Sequence, residues 1–291
     1  MRKFTQNIEK YQIQGFYYIY IMIPAKSGEI LEEALKKVVE VLMDYHGKSL
    51  QTTVKESISS VVTEADLASE KAIFEILQNT RESFNIISEE AGYTDHGSRY
   101  CWVVDPLDGT SNFAAGLPWF GVIIALFEGN SPVLGGMYLP VEERLYIAET
   151  GMGAHLNNSP IHTTGSTDLH SMLVSYSFDF SNTPGKTRSE MELLEELSKK
   201  VRNIRSTNSL VDFCYTADGR LGAAINQTTR IWDIAAAWLM ITEAGGKVTD
   251  IDGEEILFDL SPDSYQQNYT IIVSGEGIHQ QLLKIIQPFQ L

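Results

Sequence analysis

The sequence Trp102-Val103-Val104-Asp105-Pro106-Leu107-Asp108-Gly109-Thr110-Ser111-Asn112-Phe113 decides how the rest of the chain is interpreted. The apolar residues that lead into it predict a buried strand. Because Pro106 has no backbone N–H, we expect this strand to end at Asp105. Asp105 and Asp108 then lie on a stiff turn, where two carboxylates need a neutralising partner such as a divalent cation. Gly109 allows a ligand to approach the backbone closely, and the N–H groups of residues 109–111 can face an anion.

A cation beneath a bound phosphate is the arrangement that hydrolysis of a phosphate ester requires. Two other interpretations of the motif are open. Asp, Pro and Gly are ordinary turn residues, so the hexapeptide 105–110 can be a surface turn without a ligand. The aspartyl-phosphate phosphatase motif spaces its two aspartates by two residues, whereas Asp105 and Asp108 are three apart, which argues against that class.

The composition is typical of a globular protein, and its negative net charge disfavours binding to polyanions. The 291 residues are 43% hydrophobic and 21% charged, and the net charge of −16 argues against nucleic acid or an anionic membrane as a partner. An anionic substrate therefore needs bound cations to reverse the local field. The two cysteines, Cys101 and Cys214, are interpreted as buried small hydrophobic residues, which makes the cytoplasm the expected compartment.

Residues 1–24 are predicted to be an N-terminal extension. The apolar, tyrosine-rich run 16–23 is too short to span a bilayer and lacks the cleavage site of a signal peptide. We expect it to add an edge strand or to pack on a neighbouring molecule. Translation from Met22 is the alternative.

Acidic residues recur at the ends of predicted elements. Thr63 is a predicted N-cap, which places Asp66 in the first turn of a helix. Favourable interaction with the helix dipole is a sufficient alternative reason for an acid there. Glu89 follows a predicted strand at 84–88, just as Asp105 follows the next strand, and ligands bind beyond the carboxyl ends of strands in open sheets.

Asp233 lies at the start of a strongly apolar predicted helix, 231–244. A carboxylate in such surroundings needs a partner or a metal. Capping of the helix N-terminus by the Asp233 side chain is the alternative.

The remaining pattern predicts alternating helices and strands with no internal repeat. Polar residues 161–168 are the best boundary between an N-terminal and a C-terminal half. Helical spacing or period-two alternation predicts helices at 28–46, 188–201 and 211–221, strands at 120–127, 133–138, 144–149, 171–178, 223–227 and 269–274, a hairpin at 248–256 and a polar loop at 203–209.

Three motifs resemble the signatures of the inositol monophosphatase family, which is part of the magnesium-dependent, lithium-sensitive phosphatases. They are Ile-Ile-Ser-Glu-Glu at 86–90, the Asp-Pro-Leu-Asp-Gly-Thr-Ser-Asn-Phe run at 105–113, and Trp-Asp-Ile-Ala-Ala at 232–236. The resemblance runs from about Ala25 to the C-terminus. It implies an α/β (α+β) fold, the layered αβαβα sandwich of the inositol monophosphatase and fructose-1,6-bisphosphatase type. It also implies one catalytic domain at 25–291, with a metal-binding half at about 25–160 and a C-terminal half at about 161–291.

The resemblance also implies roles for individual residues, with two or three Mg²⁺ ions as cofactors. The implied metal ligands are Glu89, Asp105, the carbonyl of Leu107, Asp108 and Asp233. Asp66 and Thr110 resemble the pair that orients the attacking water, and Glu89 shares in catalysis. The implied substrate-binding residues are Gly109, Thr110, Asp108, Lys55, Asn226, Asn208, Ser209 and Asp233.

The substrate-binding positions depart from the family pattern, so the identity of the substrate stays open. Ser60 and Asn226 replace the usual Asp and Glu, and Thr207-Asn208-Ser209 replaces a Gly-Thr/Ser-Ala loop. The resemblance implies a phosphatase for inositol monophosphate or a related sugar phosphate. The alternatives are fructose 1,6-bisphosphate, histidinol phosphate or 3′-phosphoadenosine phosphate as substrate, or a protein-binding role in ribosomal-RNA antitermination. Lithium sensitivity and a homodimer are expected from the resemblance alone.

Overall fold

The computed structural model describes residues 23–48, 52–54, 61–80, 82–179, 181 and 183–289, which form alternating layers of helices and sheets. The helices are α1 (Ser27–Tyr45), α2 (Glu64–Leu77), α3 (Thr110–Ala114), α4 (Lys186–Ser198), α5 (Val211–Ala217), α6 (Ile231–Glu243) and α7 (Glu276–Ile286). The strands are β1 (Thr52–Val54), β2 (Val61–Thr63), β3 (Asn85–Ser88), β4 (Gly92–Thr94), β5 (Tyr100–Asp108), β6 (Gly121–Glu128), β7 (Ser131–Leu139), β8 (Arg144–Glu149), β9 (Gly153–Leu156), β10 (Ser159–Pro160), β11 (Leu173–Ser177), β12 (Asn203–Arg205), β13 (Ala223–Thr229), β14 (Gly246–Thr249) and β15 (Tyr269–Gly275).

The first sheet has eight strands in the order β10-β9-β8-β7-β6-β5-β3-β4 and is covered on both faces. Helices α1 and α2 pack on one face, and α6 packs on the other. Because the sheet is covered on both faces, the side chains of strand β6 are buried on both sides. Val122, Ile124 and Leu126 belong to the core beneath α1 and α2, whereas Ile123 and Phe127 belong to the core beneath α6. Because both faces are buried, β6 is a continuous apolar run and not an alternating one.

The middle layer is formed by α5 and α6, and α6 approaches the first sheet very closely. A Cβ atom added to Gly135 of β7 would lie 3.1 Å from the Cα atom of Ala236 in α6. A Cβ atom at Gly135 would therefore be a tight contact, and the α6 backbone would have to move by a few tenths of an ångström to admit it. Asp233 lies in the first turn of this helix.

The second sheet has the order β12-β11-β13-β15-β14, with α4 and α7 on its outer face. Strands β12, β11 and β13 are parallel. Their carboxyl ends therefore share one edge of the sheet, and the connections that follow them begin there. The succession α1/α2, first sheet, α5/α6, second sheet, α4/α7 confirms the predicted αβαβα sandwich.

Three local expectations in the C-terminal half were wrong. The predicted hairpin at 248–256 is absent, since β14 ends at Thr249 and pairs with β15 across the sheet. The region 203–209 contains the short strand β12, which joins the edge of the second sheet. Helix α5 ends at Ala217, four residues before the predicted end, where Asp218 to Arg220 form a turn closed by a hydrogen bond from the Arg220 N–H to the Asp218 side chain.

Some predictions concern residues that the structure does not describe. Lys55, Ser60 and the extension through residue 22 lie outside the described residues, so their assignments stay predictions. Within the described ranges, no helix has both the length and the apolar content that crossing a bilayer requires. Cys101 and Cys214 are buried and unpaired, as expected.

Candidate active site

Two parallel strands deliver the first two acidic residues of the candidate site. Strands β3 and β5 are neighbours, with Ser88 opposite Val104. The Glu89 N–H donates a hydrogen bond to the Val104 carbonyl, 3.2 Å away. Glu89 and Asp105 therefore lie side by side, each just beyond the last residue that pairs β3 with β5.

Strand β5 does not end at Asp105, which corrects the expectation that Pro106 terminates it. The strand continues to Asp108, and its pairing with β6 shifts register between Asp105 and Asp108. Pro106 is tolerated because it lies in this irregular segment and beyond the last residue paired with β3. The Leu107 N–H turns back to donate to Asp105 Oδ1 at 3.0 Å. The irregular segment holds both carboxylates at the strand end.

Asp233 completes a cluster of three carboxylates. One carboxylate oxygen from each of Asp105, Asp108 and Asp233 lies within 4.8 Å of the others. Asp233 is the third residue of α6, and its side chain caps the helix N-terminus, as the capping alternative expects, although from the third helical position and not from the N-cap. Its Oδ2 accepts a hydrogen bond of 2.6 Å from the backbone N–H of Arg230, the N-cap residue. This bond orients the side chain and leaves the other carboxylate oxygen available to a ligand.

The cluster concentrates negative charge where Asp105 is buried and Asp108 and Asp233 are partly buried. Burial raises the pKa of Asp105 well above its usual value, and the charges of Glu89, Asp108 and Asp233 raise it further. The pKa of Asp233 is raised for the same reasons, first by burial and then by Glu89. Burial raises the pKa of Asp108 to about 7, against the opposing effect of its hydrogen bond from Leu210.

These residues fit a divalent cation. Like charges this close are stable together only if they are protonated or share a cation. Carboxylate and carbonyl oxygens are the ligands that Mg²⁺ prefers. The charge of Glu89 raises the pKa of all three aspartates, although its carboxylate is not one of the three whose oxygens lie within 4.8 Å of one another.

A threonine and an aspartate lie beside the cluster. Thr110 Oγ is 2.9 Å from the Leu107 carbonyl oxygen and 3.2 Å from Asp66 Oδ1. Asp66 Oδ2 accepts hydrogen bonds from the N–H of Thr63 at 2.7 Å and from its hydroxyl at 2.6 Å. Thr63 is the N-cap of α2, as predicted, so the capping contacts also fix Asp66.

Gly109 is required by both space and backbone conformation. Its φ is +82°, and a Cβ atom there would lie 2.5 Å from the carbonyl oxygen of Trp119. Helix α3 begins at the next residue, so the N–H groups of Gly109 and Thr110 lie at the N-terminal end of a helical turn. This is the location predicted for the phosphate-facing N–H groups.

The loop after β12 contacts the cluster from the second sheet. The Leu210 N–H donates a hydrogen bond of 2.5 Å to Asp108 Oδ2. Ser209 Cβ lies 3.1 Å from the place of a Cβ atom on Gly109. Asn208, with φ +50°, donates its amide to the Phe178 carbonyl at 2.7 Å. Ser209 thus lies next to the cluster, whereas the exposed Asn208 ties this loop to the end of β11.

Asn226 is engaged in its own turn. Its Oδ1 accepts a hydrogen bond of 2.9 Å from the Thr228 N–H. The Thr228 hydroxyl in turn accepts one of 2.8 Å from Lys186 Nζ, and the charge of Lys186 acts on Asp179. Asn226 therefore lies in β13, and its amide oxygen already accepts one hydrogen bond.

The sequence did not predict the residues that hold this edge together. Asp212 is buried in α5 and accepts a hydrogen bond of 3.3 Å from the Thr207 N–H. Asn112 donates to the Trp119 carbonyl and to the Thr207 carbonyl, which joins the two halves of the chain. A lone acid in the apolar helix 211–217 was the signal available for Asp212, whereas nothing in the sequence pairs Asn112 with a residue 95 positions away.

Comparisons with known proteins agree with this geometry. The family profile of the inositol monophosphatase family matches residues 26–290. A Nus factor SuhB of Pasteurella multocida is 34% identical over 241 residues, covering 82% of this chain and 86% of the relative. An inositol-1-monophosphatase of Caulobacter vibrioides is 32% identical over 257 residues, covering 87% of this chain and 97% of the relative.

The fold is shared with solved structures as well. The extragenic suppressor protein suhB from Bartonella henselae superposes with a TM-score of 0.82 at 30% identity, over 90% of this chain and 99% of that one. The profile match covers nearly the whole chain, the second and third sequence motifs meet in the three-aspartate cluster, and the strand of the first motif pairs with β5. This chain belongs to the inositol monophosphatase family, a family of phosphatases.

Proposed function

We propose that the protein is a Mg²⁺-dependent phosphomonoesterase that hydrolyses inositol monophosphate or a related sugar phosphate. The observation that carries the proposal is the convergence of Asp105, Asp108 and Asp233 to within 4.8 Å, from positions up to 128 residues apart. Membership of a phosphatase family supports the same reaction class.

Each residue at the site has a proposed part in the reaction. Glu89, Asp105, Asp108, Asp233 and the Leu107 carbonyl would hold two or three Mg²⁺ ions. When bound, Mg²⁺ neutralises charge on the phosphate and makes a water molecule easier to deprotonate. Gly109 and Thr110 would donate backbone N–H groups to the phosphate oxygens.

Thr110 and Asp66 would orient the attacking water. The Thr110 hydroxyl has a single proton and lies between two acceptors, Asp66 Oδ1 and the Leu107 carbonyl. A water placed at this pair can donate to Asp66 while Thr110 Oγ accepts or donates as required. Because Thr63 fixes the other Asp66 oxygen, the pair is preorganised for this task.

Substrate choice would depend on the edge formed by the second sheet. Ser209, Asn208 and Asn226 are the residues we propose to face the alcohol part of the substrate, with Lys55 near the metal site. Lithium sensitivity, a homodimeric state and a cytoplasmic location belong to the same proposal. Neither nucleic acid nor a membrane is proposed as a partner, since the net charge is −16.

The test is phosphate release from a panel that contains inositol monophosphate, fructose 1,6-bisphosphate, histidinol phosphate and 3′-phosphoadenosine phosphate, titrated with Mg²⁺. Asp105→Asn should abolish release while its fold is retained. Turnover by Asp105→Asn at the wild-type rate would overturn the proposal. Light scattering tests the dimer.

A protein-binding role is the second candidate, since the 34% identical relative from Pasteurella multocida is named a Nus factor. In that case Asp105→Asn would keep a stable protein complex that the wild type forms. If the protein releases phosphate from none of the esters in the panel and forms such a complex, the protein-binding role would be favoured over the phosphatase role.

A further inference from the structure

Glu70 lies one helical turn after Asp66 on α2, so both side chains project from the same face of the helix. Its carboxylate reaches the turn that follows β3. Glu70 Oε1 accepts a hydrogen bond of 2.5 Å from the Ser88 hydroxyl and another of 2.9 Å from the Ala91 N–H. One oxygen atom therefore holds the chain at two points that are three residues apart.

The two contacts enclose Glu89. Ser88 is the last residue of β3 and is fully buried, and Ala91 precedes Gly92, the first residue of β4. Ser88 is paired with Gly92 across this turn. Residues 89 and 90 thus form a short connection whose two ends are both attached to α2 through Glu70.

Glu70 acts on the turn and not on the carboxylate cluster itself. The three-carboxylate group consists of Asp105, Asp108 and Asp233, without Glu70. Among the charges that raise the pKa of Asp105 and of Asp233, that of Glu89 has the largest effect. What Glu70 supplies is a hydrogen-bond acceptor at a fixed place.

We propose that Glu70 is a positioning residue that aims the Glu89 carboxylate at the cluster. Helix α2 then serves the site twice: Asp66 contacts Thr110, and one turn later Glu70 holds the turn that carries Glu89. The inference rests on the proposed function, because it assigns Glu89 to the metal. Groups that orient a metal ligand commonly change metal affinity by about 10–100-fold when they are removed.

The test compares Glu70→Ala, Glu70→Gln and the control Glu75→Ala, which removes an exposed glutamate from the same helix. Mn²⁺ binding is measured by calorimetry on the full chain, beside the Mg²⁺ concentration that gives half-maximal phosphate release. Glu70→Ala should weaken Mn²⁺ binding about tenfold. Glu70→Gln should stay within about twofold of wild type, because its amide oxygen can accept both hydrogen bonds. Glu75→Ala should bind as wild type does.

Two results would overturn the proposal. If Glu70→Gln binds Mn²⁺ as weakly as Glu70→Ala does, the negative charge of Glu70 matters and its role as a hydrogen-bond acceptor does not. If Glu70→Ala binds Mn²⁺ as wild type does, Glu70 has no influence on the ligand. Should Glu70→Ala fail to fold, Ser88→Ala removes one of the two contacts, and a loss of about fivefold is expected for one hydrogen bond. Unchanged binding by Ser88→Ala would then count against the proposal.

The failure of the proposed function is a separate result. A wild-type protein that binds Mn²⁺ but releases phosphate from no ester would contradict the phosphatase proposal. The order of the variants in the calorimetric measurement would still decide the role of Glu70.

Discussion

Asp108→Asn should stabilise the metal-free protein while it removes activity. Burial, together with Glu89 and Asp212, holds the pKa of Asp108 at about 7, above its usual value of 3.8. A carboxyl group whose pKa is raised on folding destabilises the folded state as the pH rises through this interval. At about 1.4 kcal/mol per pKa unit, the full difference between the two pKa values lowers the free energy of unfolding by about 4 kcal/mol at pH 8. Because Asp108 is partly exposed, we expect about 2–3 kcal/mol after solvent screening.

The neutral amide keeps an oxygen that can accept the Leu210 N–H, so the loop contact survives the substitution. At about 2–4 °C per kcal/mol, thermal unfolding in EDTA at pH 8 should show a Tm higher by about 5–10 °C. Mg²⁺ should raise the Tm of wild type and leave that of Asp108→Asn unchanged. The exposed Asp44→Asn is the matched control and should behave as wild type. A lower Tm of Asp108→Asn in EDTA, or equal stabilisation of both proteins by Mg²⁺, would refute the reasoning.

Three further predictions concern single residues. Thr110→Ala should lower kcat at least about 100-fold with a small change in Tm, since it removes the hydroxyl that contacts Asp66; a kcat near wild type in steady-state assays would contradict this. Gly109→Ala should lower both Tm and activity, because its Cβ would lie 2.5 Å from the Trp119 carbonyl oxygen at a φ of +82°; a fully active, equally stable variant would argue against the close approach. Burial lowers the pKa of His279 from 6.5 to about 4, so on acidification the unfolded chain takes up a proton before the folded protein does. The free energy of unfolding should therefore fall by about 3 kcal/mol as the pH is lowered from 6.5 to 4. Urea unfolding at several pH values should show a shallower fall in this free energy for His279→Asn, and an equal fall would contradict the assignment.

The sequence predicted the elements that carry the site better than their ends. The apolar run before Asp105 and the capping pattern Thr63 to Asp66 are local signals, and the structure has the expected strand and N-cap. The predicted end of β5 was wrong because a proline normally interrupts the hydrogen bonds between strands, whereas here the neighbouring strand β3 has already ended before Pro106. The missing hairpin at 248–256 has a similar cause, since β14 finds its partner in β15, more than 20 residues away.

Contacts between distant segments were beyond the reach of pattern analysis. The joining of Asp105 and Asp233 could be expected only from the family resemblance, because periodicity says nothing of which helix starts at which strand end. Glu70 escaped notice because it is one of several acids on α2, and its partners Ser88 and Ala91 lie 18 and 21 residues further along the chain. Such partners have no sequence signature.

The central claim is that Asp105, Asp108 and Asp233 share a divalent cation. Anomalous diffraction at the manganese edge, from crystals grown with Mn²⁺, locates that cation directly. A peak in contact with oxygens of all three aspartates is the predicted result. A fully occupied manganese site elsewhere, with no peak between these three side chains, would contradict the account.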